Sequence, residues 1–268
     1  MAPGTRYTVR VALIVALGGF LMGFDASVIS GVVGFIEPEF GLSKIELGWS
    51  VASLTLTATL AMMMAGPLSD RLGRRPLLGL GLAGITVSML LLAYGFGTAT
   101  YSLSAEAIRA LPATVDSGAL TALAGQLFNS DVAFREAVVA AIGAEAFASH
   151  QSALVSSAIS MSPTLILVGI LGFVASFAIS LGPVMWVLFS ELFPNRVRGL
   201  AISFVGLINS SVSFLVQLVF PWELSRLGNS LTFLIYGLFA IVGLVIVMRL
   251  LPETKGRSLE ELEAELVR

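Results

Sequence analysis

The feature that most constrains this chain is a series of long apolar stretches, each long enough to cross a lipid bilayer. A membrane-spanning helix needs roughly 20 mostly apolar residues, and the stretches that qualify cover residues 11–36, 48–69, 76–97, 162–191, 197–221 and 230–251. The composition agrees, because 56% of the residues are hydrophobic and only 12% are charged, against roughly 25% charged in an ordinary soluble domain. The sequence therefore predicts an all-α integral membrane protein with six transmembrane helices.

Lysine and arginine are distributed unevenly between the connecting segments. If both termini are cytoplasmic, eleven of these residues lie inside and four outside, as the positive-inside rule requires. Residues 98–161 are then extracytoplasmic, and their Ala-rich amphipathic runs predict short helices, with Asn129-Ser130-Asp131 as a cap. The first apolar stretch lacks a small-residue cleavage site near its end, so we expect a retained span rather than a signal peptide. The predicted location is the plasma or bacterial inner membrane, with both termini cytoplasmic.

Several functional classes are excluded or disfavoured by residues that the chain lacks. It has no cysteine, which excludes disulfides, thiolate zinc sites and thiol catalysis. No Gly-x-Ser-x-Gly motif, histidine pair or pair of mid-membrane aspartates is present, so an intramembrane enzyme is not expected. We expect no cofactor, no bound metal and no nucleic-acid partner. The only histidine, His150, is predicted to be a solvated loop residue rather than a proton relay.

One carboxylate, Asp25, interrupts the first apolar stretch in the run GGFLMGFDASVISG from Gly18 to Gly31. An ionised aspartate at the centre of a bilayer helix costs roughly 2.5–3.5 kcal/mol on insertion scales, and intramembrane acids usually have a function. Two readings are open: a proton-coupling residue, which we favour, and a neutral hydrogen-bonding group.

A second motif, GPLSDRLGRRP, joins the second and third apolar stretches. Gly66, Gly73 and Pro76 permit a tight reversal, and opposite charges gather beside it. The charged residues are Asp70, Arg71, Arg74 and Arg75. Such a cluster can pair with helix ends or with carboxylates across an interface and separate when helices rock. We predict a gating role for this hairpin, whereas its arginines alone would also fix the topology.

A third motif, GPVMWVLFSELFPNRVRG, ends the fourth apolar stretch. Gly182-Pro183 is expected to weaken the helix near the middle of the membrane and to free backbone groups toward a cavity. Trp186, three residues after the proline, offers a flat surface and one N–H donor, of the kind that binds sugar rings; a packing aromatic is the alternative. Glu191 is predicted to join a cytoplasmic ion-pair network with the hairpin arginines, together with Arg196 and Arg198. In the tail LPETKGRSLEELE, Pro252 ends the sixth span and Ser258 caps a following helix.

Taken together, these four motifs resemble those of the sugar porter branch of the major facilitator superfamily. The resemblance implies transport of a hexose, pentose or polyol by alternating access, with the proton gradient as the energy source in proton-coupled members. It implies proton coupling at Asp25 and sugar contact at Trp186. Asn209 matches a position that hydrogen-bonds sugar in relatives. Met22 stands where relatives often carry an aromatic residue facing the cavity.

The chain departs from that family in its number of spans, because members have twelve and this chain has room for six. The stretch after the hairpin looks like the family's ninth helix, and residues 98–161 look like the loop that follows it in some bacterial members. We therefore expect helices resembling helices 1, 2 and 9–12, joined near Arg71 to Pro76. The predicted segments are 1–75 with two spans, 76–251 with four spans and the insert 98–161, and a cytoplasmic tail 252–268.

The expected function is proton-coupled sugar transport, with sugar, protons and the lipid bilayer as partners. Since one copy lacks half of the helices of the family, enclosing a substrate requires a homodimer or complementing helices. The alternative is a shortened remnant that inserts into the membrane without transporting, or acts only as a sugar-sensing or interaction protein.

Overall fold

The structure is a computed structural model that describes residues 44–112, 114–192 and 198–257. Long helices dominate it. They are α1 (Lys44–Leu72), α2 (Arg74–Gly97), α7 (Pro163–Ile179), α8 (Leu181–Leu192) and α9 (Arg198–Leu250). Between α2 and α7 lie α3 (Ala105–Ala110), α4 (Ser117–Leu120), α5 (Asp131–Ile142), α6 (Ala144–Ala158) and a strand pair, β1 (Thr100–Tyr101) with β2 (Ile159–Ser160).

The long helices follow the apolar stretches of the sequence. The second stretch lies in α1, the third in α2, the fourth in α7 and α8, and the last two in α9, whereas the first lies outside the described residues. Within the described part of the chain, three helical segments are long and apolar enough to cross a membrane. These are Arg74–Gly97, Pro163–Leu188 and Ile202–Leu250. The last of them contains a break at Gly228, where φ is 79° and ψ is 169°.

Helix α2 is the centre of the main core, since it packs against α7, α8, α9 and α1. The α2–α7 seam is lined by small residues on both helices. A Cβ added to Gly81 or Gly84 would meet the side chains of Ser180 and Ser176, and one added to Gly172 would meet Ser88. Small residues at such a seam let two backbones approach closely, which is how membrane helices gain packing energy without a hydrophobic driving force.

Aromatic residues and methionines fill the rest of this core, on the side of α2 that faces the second part of α9. The rings of Phe96 and Phe233 stack with centroids 5.3 Å apart and planes 5° from parallel. Met89 is fully buried, and its Cβ would lie 3.3 Å from a Cβ added to Gly237. The outward surfaces of α1 and α9 carry exposed apolar side chains, Met63 and Phe204 among them, as expected for helices in contact with lipid or with further helices.

Residues 98–161 form a small module with a core of its own, built from α3 to α6 and the strand pair. Tyr101 and Phe128 exchange backbone hydrogen bonds of 2.8 and 2.9 Å, and the ring of Phe134 stacks on Tyr101 at 5.5 Å. Ser130 caps α5 by accepting hydrogen bonds from the N–H groups of Val132 and Ala133, so the predicted cap at residues 129–131 is confirmed. The predicted short helices are also present, and the strand pair is an addition to the prediction.

Two local predictions were wrong in detail. The reversal after α1 takes one residue, Gly73 with φ 100°, whereas Gly66 lies inside α1 and Pro76 inside α2. His150 lies in α6 rather than in a loop, at a non-helical kink, and its Nε2 is 3.1 Å from the hydroxyl of Thr114.

The seam between α2 and α7 predicts a strong effect of a single methyl group. In Gly81→Ala the new Cβ would meet Ser180 and lie 3.0 Å from the carbonyl oxygen of Ser176, so one backbone must shift. We expect a loss of about 1–3 kcal/mol in the free energy of unfolding, measured by equilibrium unfolding in mixed detergent micelles. The matched control is Gly206→Ala in α9, where nothing lies within 4 Å of the added Cβ. Equal stability of the two variants would contradict the close seam.

Candidate functional site

Charged residues gather on the side of the bundle where α1 and α8 end and α2 begins. Arg74, the first residue of α2, donates a 3.0 Å hydrogen bond to Asp70 and a 2.9 Å hydrogen bond to Glu191 at the end of α8. The Arg74 side chain is 16% exposed and that of Glu191 is 21% exposed, whereas Asp70 is 74% exposed. Because charges attract more strongly where solvent is excluded, the Arg74–Glu191 pair contributes more than the pair with Asp70.

Glu253, which follows α9, caps the beginning of α2. Its two carboxylate oxygens accept hydrogen bonds from the backbone N–H groups of Arg74 at 3.0 Å and Arg75 at 3.1 Å. These N–H groups have no partner within their own helix, and the positive end of the helix dipole favours an anion there. Gly73 makes the approach possible, since a Cβ at this position would lie 2.6 Å from Oε2 of Glu253.

The segment around Glu253 is tied to the hairpin by further contacts. Thr254 donates a 2.6 Å hydrogen bond to Oε2 of Glu191, and the Lys255 ammonium donates a 2.6 Å hydrogen bond to the carbonyl of Arg71. The guanidinium of Arg75 donates to the backbone carbonyl of Met248 near the end of α9. The contacts form one cluster, which we call the charge network. Its members are Asp70, Arg71, Arg74, Arg75, Glu191, Glu253, Thr254 and Lys255.

The structure therefore brings together most of the hairpin residues that the sequence singled out, and adds three that it did not. The sequence places Glu253, Thr254 and Lys255 only in the cytoplasmic tail. The sequence does contain an indication of the role of Glu253. An acidic residue directly after an apolar stretch lies at the membrane face, where antiparallel helices begin and their N–H groups attract an anion. Gly66 is not part of the charge network, since it lies inside α1 and nothing lies within 4 Å of a Cβ added to it.

Four of the predicted substrate-binding residues lie on α8 and α9, two helices in contact with each other: Gly182, Pro183, Trp186 and Asn209. The break before α8 occurs at Ser180, with φ −127° and ψ −88°, two residues before the Gly182-Pro183 pair to which we assigned it. Trp186 is 40% exposed on α8, and Asn209 is half-buried in the first part of α9. Both residues already have a hydrogen-bonding, ring or electrostatic contact within the protein.

Some of the predicted residues lie outside the described part of the chain. Met22, Asp25 and Arg196 are among them, and for Arg198 the structure describes the backbone only. Their roles therefore stay predictions from the sequence.

A cavity of about 550 Å³ lies in the insert, between α3 and α6, where His150 contributes to its wall. The serines along it already use their hydroxyl protons: Ser149 donates to the carbonyl of Glu145, Ser156 to Ala153 and Ser157 to Leu154. No cluster of histidine, aspartate and glutamate suited to a metal ion is found among the residues described. The arrangement that offers reversible polar contacts between helices is thus the charge network.

Comparison with known families gives two matches along the chain. The family described as "Sugar (and other) transporter" matches residues 132–266, which is half of the 268 residues. The family described as "Major Facilitator Superfamily" matches residues 15–144. The two matches overlap within the insert and together extend from the first apolar stretch to the tail.

Individual relatives match a limited part of the chain. The glucose transporter GlcP of Staphylococcus epidermidis is 41% identical over 108 residues, which cover 40% of this chain and 24% of GlcP. The D-xylose-proton symporter of Escherichia coli is 38% identical over 104 residues, which cover 37% of this chain and 21% of the symporter. The matches thus span about a quarter or less of these relatives.

Nearly the whole length of this chain resembles part of a solved transporter structure. The proton:xylose symporter XylE bound to 6-bromo-6-deoxy-D-glucose superposes with a TM-score of 0.63 at 23% sequence identity. The superposition covers 96% of this chain and 42% of XylE. The helices therefore adopt a major facilitator arrangement over less than half of the length of that structure.

The two carboxylates that hold Arg74 should differ in their contribution to stability. Glu191→Ala leaves the largely buried guanidinium with the exposed Asp70 and the Ser69 carbonyl oxygen as partners, and it removes the acceptor of the Thr254 hydroxyl. We therefore expect a loss of about 1–3 kcal/mol in the free energy of unfolding. Asp70→Ala removes an exposed partner, for which we expect less than about 0.5 kcal/mol. Unfolding titrations of both variants in mixed micelles measure the difference. A loss that is as large for Asp70→Ala as for Glu191→Ala would show that burial does not set the strength of the network.

Proposed function

The chain belongs to the sugar transporter family of the major facilitator superfamily, a family of multi-pass membrane proteins without enzymatic activity, and we propose that it moves a sugar across the membrane by alternating access. The substrate class is a hexose, pentose or related polyol, and transport is coupled to protons. The names of the relatives support this class, since one is a glucose transporter and another a D-xylose-proton symporter.

The observation that carries the proposal is the charge network. Its contacts connect three separate elements: the α1–α2 hairpin, the end of α8 and the segment after α9. Charged and hydrogen-bonded contacts at the ends of helices can form and separate as groups of helices rock, which alternating access requires. In our proposal the intact network holds the cytoplasmic side closed, and its separation opens that side. We propose that Arg196 and Arg198 also take part in it.

The proposed substrate site lies near the middle of the membrane, on α8 and the first part of α9. Trp186 supplies an aromatic face to the sugar ring and Asn209 a hydrogen-bonding amide, while Gly182, Pro183 and Met22 shape the cavity. Asp25 is the proposed proton-coupling residue.

The proposed topology has six spans, with both termini in the cytoplasm and the insert 98–161 outside. The arginines of the hairpin and the lysine of the tail then share the cytoplasmic face, where the contact between Lys255 and the carbonyl of Arg71 lies. The cell membrane, plasma or inner, is the proposed location. The proposed segments remain 1–75, 76–251 and the tail 252–268.

Additional helices are part of the proposal, because the chain corresponds to 42% of the length of XylE. The first part of α9 exposes polar side chains, Ser210, Ser211 and Gln217, among apolar ones. Polar groups at this depth are costly in lipid, which favours a protein or water-filled surface beside them. We propose that a second copy of the chain or complementing helices provide this surface. The alternative, a remnant that does not transport, predicts that no partner restores uptake.

Uptake of labelled sugar into proteoliposomes tests the proposal. With acid outside, we expect uptake of at least one hexose or pentose above that of empty liposomes, and Asp25→Asn should abolish its acceleration by the proton gradient. Trp186→Ala should raise the half-saturating sugar concentration about 5- to 10-fold, since loss of an aromatic contact is worth about 1 kcal/mol. Matched controls are Asp116→Asn in the insert and Trp222→Ala, an exposed tryptophan outside the site.

Three outcomes separate the alternatives. Gradient-dependent uptake that Asp25→Asn abolishes supports a proton-coupled carrier, and uptake that is indifferent to the gradient supports facilitated diffusion and contradicts the coupling. Folded, inserted protein that takes up none of the sugars, alone or with the missing helices supplied from a relative, contradicts the proposed transport and favours the remnant.

A further inference from the structure

The second part of α9 begins at a break in the chain, and a residue of the insert serves the end that the break creates. At Gly228 the backbone has φ 79° and ψ 169°, a conformation that only glycine adopts readily. The first N–H after it, that of Asn229, donates a 2.8 Å hydrogen bond to Oδ2 of Asp131. Asp131 lies 98 residues earlier in the sequence. The helix 229–250 is therefore capped by a carboxylate from another part of the protein.

The other oxygen of the same carboxylate belongs to the insert. Oδ1 of Asp131 accepts a 3.0 Å hydrogen bond from the N–H of Val132, in the first turn of α5. The N-termini of two helices thus meet at one carboxylate, and both helix dipoles present their positive ends to it. Gly228 permits the contact, since a Cβ there would collide with Asp131 and lie 3.1 Å from the Val132 side chain.

Buried polar neighbours hold this junction in place. Asn229 is 5% exposed and Tyr101 is 1% exposed, and the Asn229 side chain lies beside the Tyr101 hydroxyl. Burial, with the negative charge of Asp131 as a second cause, raises the pKa of Tyr101, so its hydroxyl stays protonated. Ser230 donates a 2.8 Å hydrogen bond to the carbonyl of Ala93 in α2.

We propose that Asp131 is a positioning residue for transport, because it joins the insert to the helix 229–250. Ser230 ties that helix to α2, so the insert, α2 and the helix 229–250 rock as one rigid unit. This role rests on the proposed function. A glycine break at the end of a transmembrane helix is a natural hinge, and with Asp131 in place the hinge is closed. Rocking then moves the insert together with α2 and with the helix that the insert caps, and the motion is not taken up by bending at residues 228–230.

Distances between spin labels test the closed hinge directly. The chain has no cysteine, so a cysteine pair at Glu136→Cys on α5 and Ser225→Cys before the break, both exposed positions, labels these sites alone. We expect one narrow distance distribution in the parent pair and in Asp131→Asn, because an asparagine oxygen also accepts the Asn229 N–H. Asp131→Ala should broaden it, with the open population rising about fivefold, the usual effect of losing a cap.

A matched control separates the junction from general damage to the insert. Asp116 caps α4 inside the insert by accepting a 3.1 Å hydrogen bond from the N–H of Ala119. Asp116→Ala should therefore weaken the insert locally and leave the distribution narrow. A narrow distribution in Asp131→Ala, or one that broadens equally in Asp116→Ala, would overturn the junction.

Sugar uptake by the same variants, without cysteines, tests the positioning role. We expect the maximal uptake rate to fall severalfold in Asp131→Ala and to be retained in Asp131→Asn and Asp116→Ala, with the half-saturating sugar concentration unchanged in all of them. Asp131→Ala protein with an open hinge and the uptake rate of the parent would overturn the role. If the parent protein takes up no sugar, the proposed function fails and the transport role of Asp131 fails with it, while the label distances still decide the junction.

Discussion

The backbone N–H groups at the beginning of a helix must find acceptors, and in this chain distant carboxylates supply them for two neighbouring helices. Helix α2 is capped by Glu253, which follows α9, and the second part of α9 is capped by Asp131, which follows α2. The helices run in opposite directions, so the caps lie at opposite ends of the pair. Each helix is thus fixed at its beginning by the segment that continues from the other.

The two ends of this pair have different surroundings. Glu253 belongs to a cluster of charged and hydrogen-bonding groups in which Asp70 is largely exposed, and exposed ion pairs are worth little and exchange readily with water. Asp131 meets Asn229, which is buried, and lies beside the buried Tyr101. Buried, satisfied polar groups are costly to separate. In the proposed transport cycle both caps stay in place within the unit of α2 and helix 229–250. The contacts that separate are those that this unit makes with the ends of α1 and α8.

The sequence predicted the elements whose signal is local. Apolar stretches located the long helices, Gly73 located the reversal after α1, and the run at residues 129–131 located the cap of α5. The break at Ser180 was assigned two residues too late, because glycine and proline are the usual signs of a broken helix and Ser180 is neither. The two-residue strand pair is too short to produce an alternating pattern.

Contacts between residues far apart in the chain could not be predicted from the sequence. The pairs Arg74–Glu253 and Asp131–Asn229 join residues 179 and 98 positions apart. Without the packing of α2 against α9, nothing in the neighbourhood of either carboxylate indicates its partner. For the substrate site, the sequence supplied Asp25, Trp186 and Asn209 by resemblance, and these assignments remain proposals.

The small-residue seam between α2 and α7 also limits how this membrane protein can move. Ser180 lies opposite Gly81, Ser176 opposite Gly84 and Gly172 opposite Ser88, while Leu92 reaches the backbone of Gly169. Sliding one helix by a single turn would place larger side chains where only hydrogen atoms now fit. Sliding of α2 along α7 is therefore blocked by steric overlap, and the two helices must move together. Relative motion is left to contacts outside this seam, among them those that join the ends of α1 and α8 to the charge network.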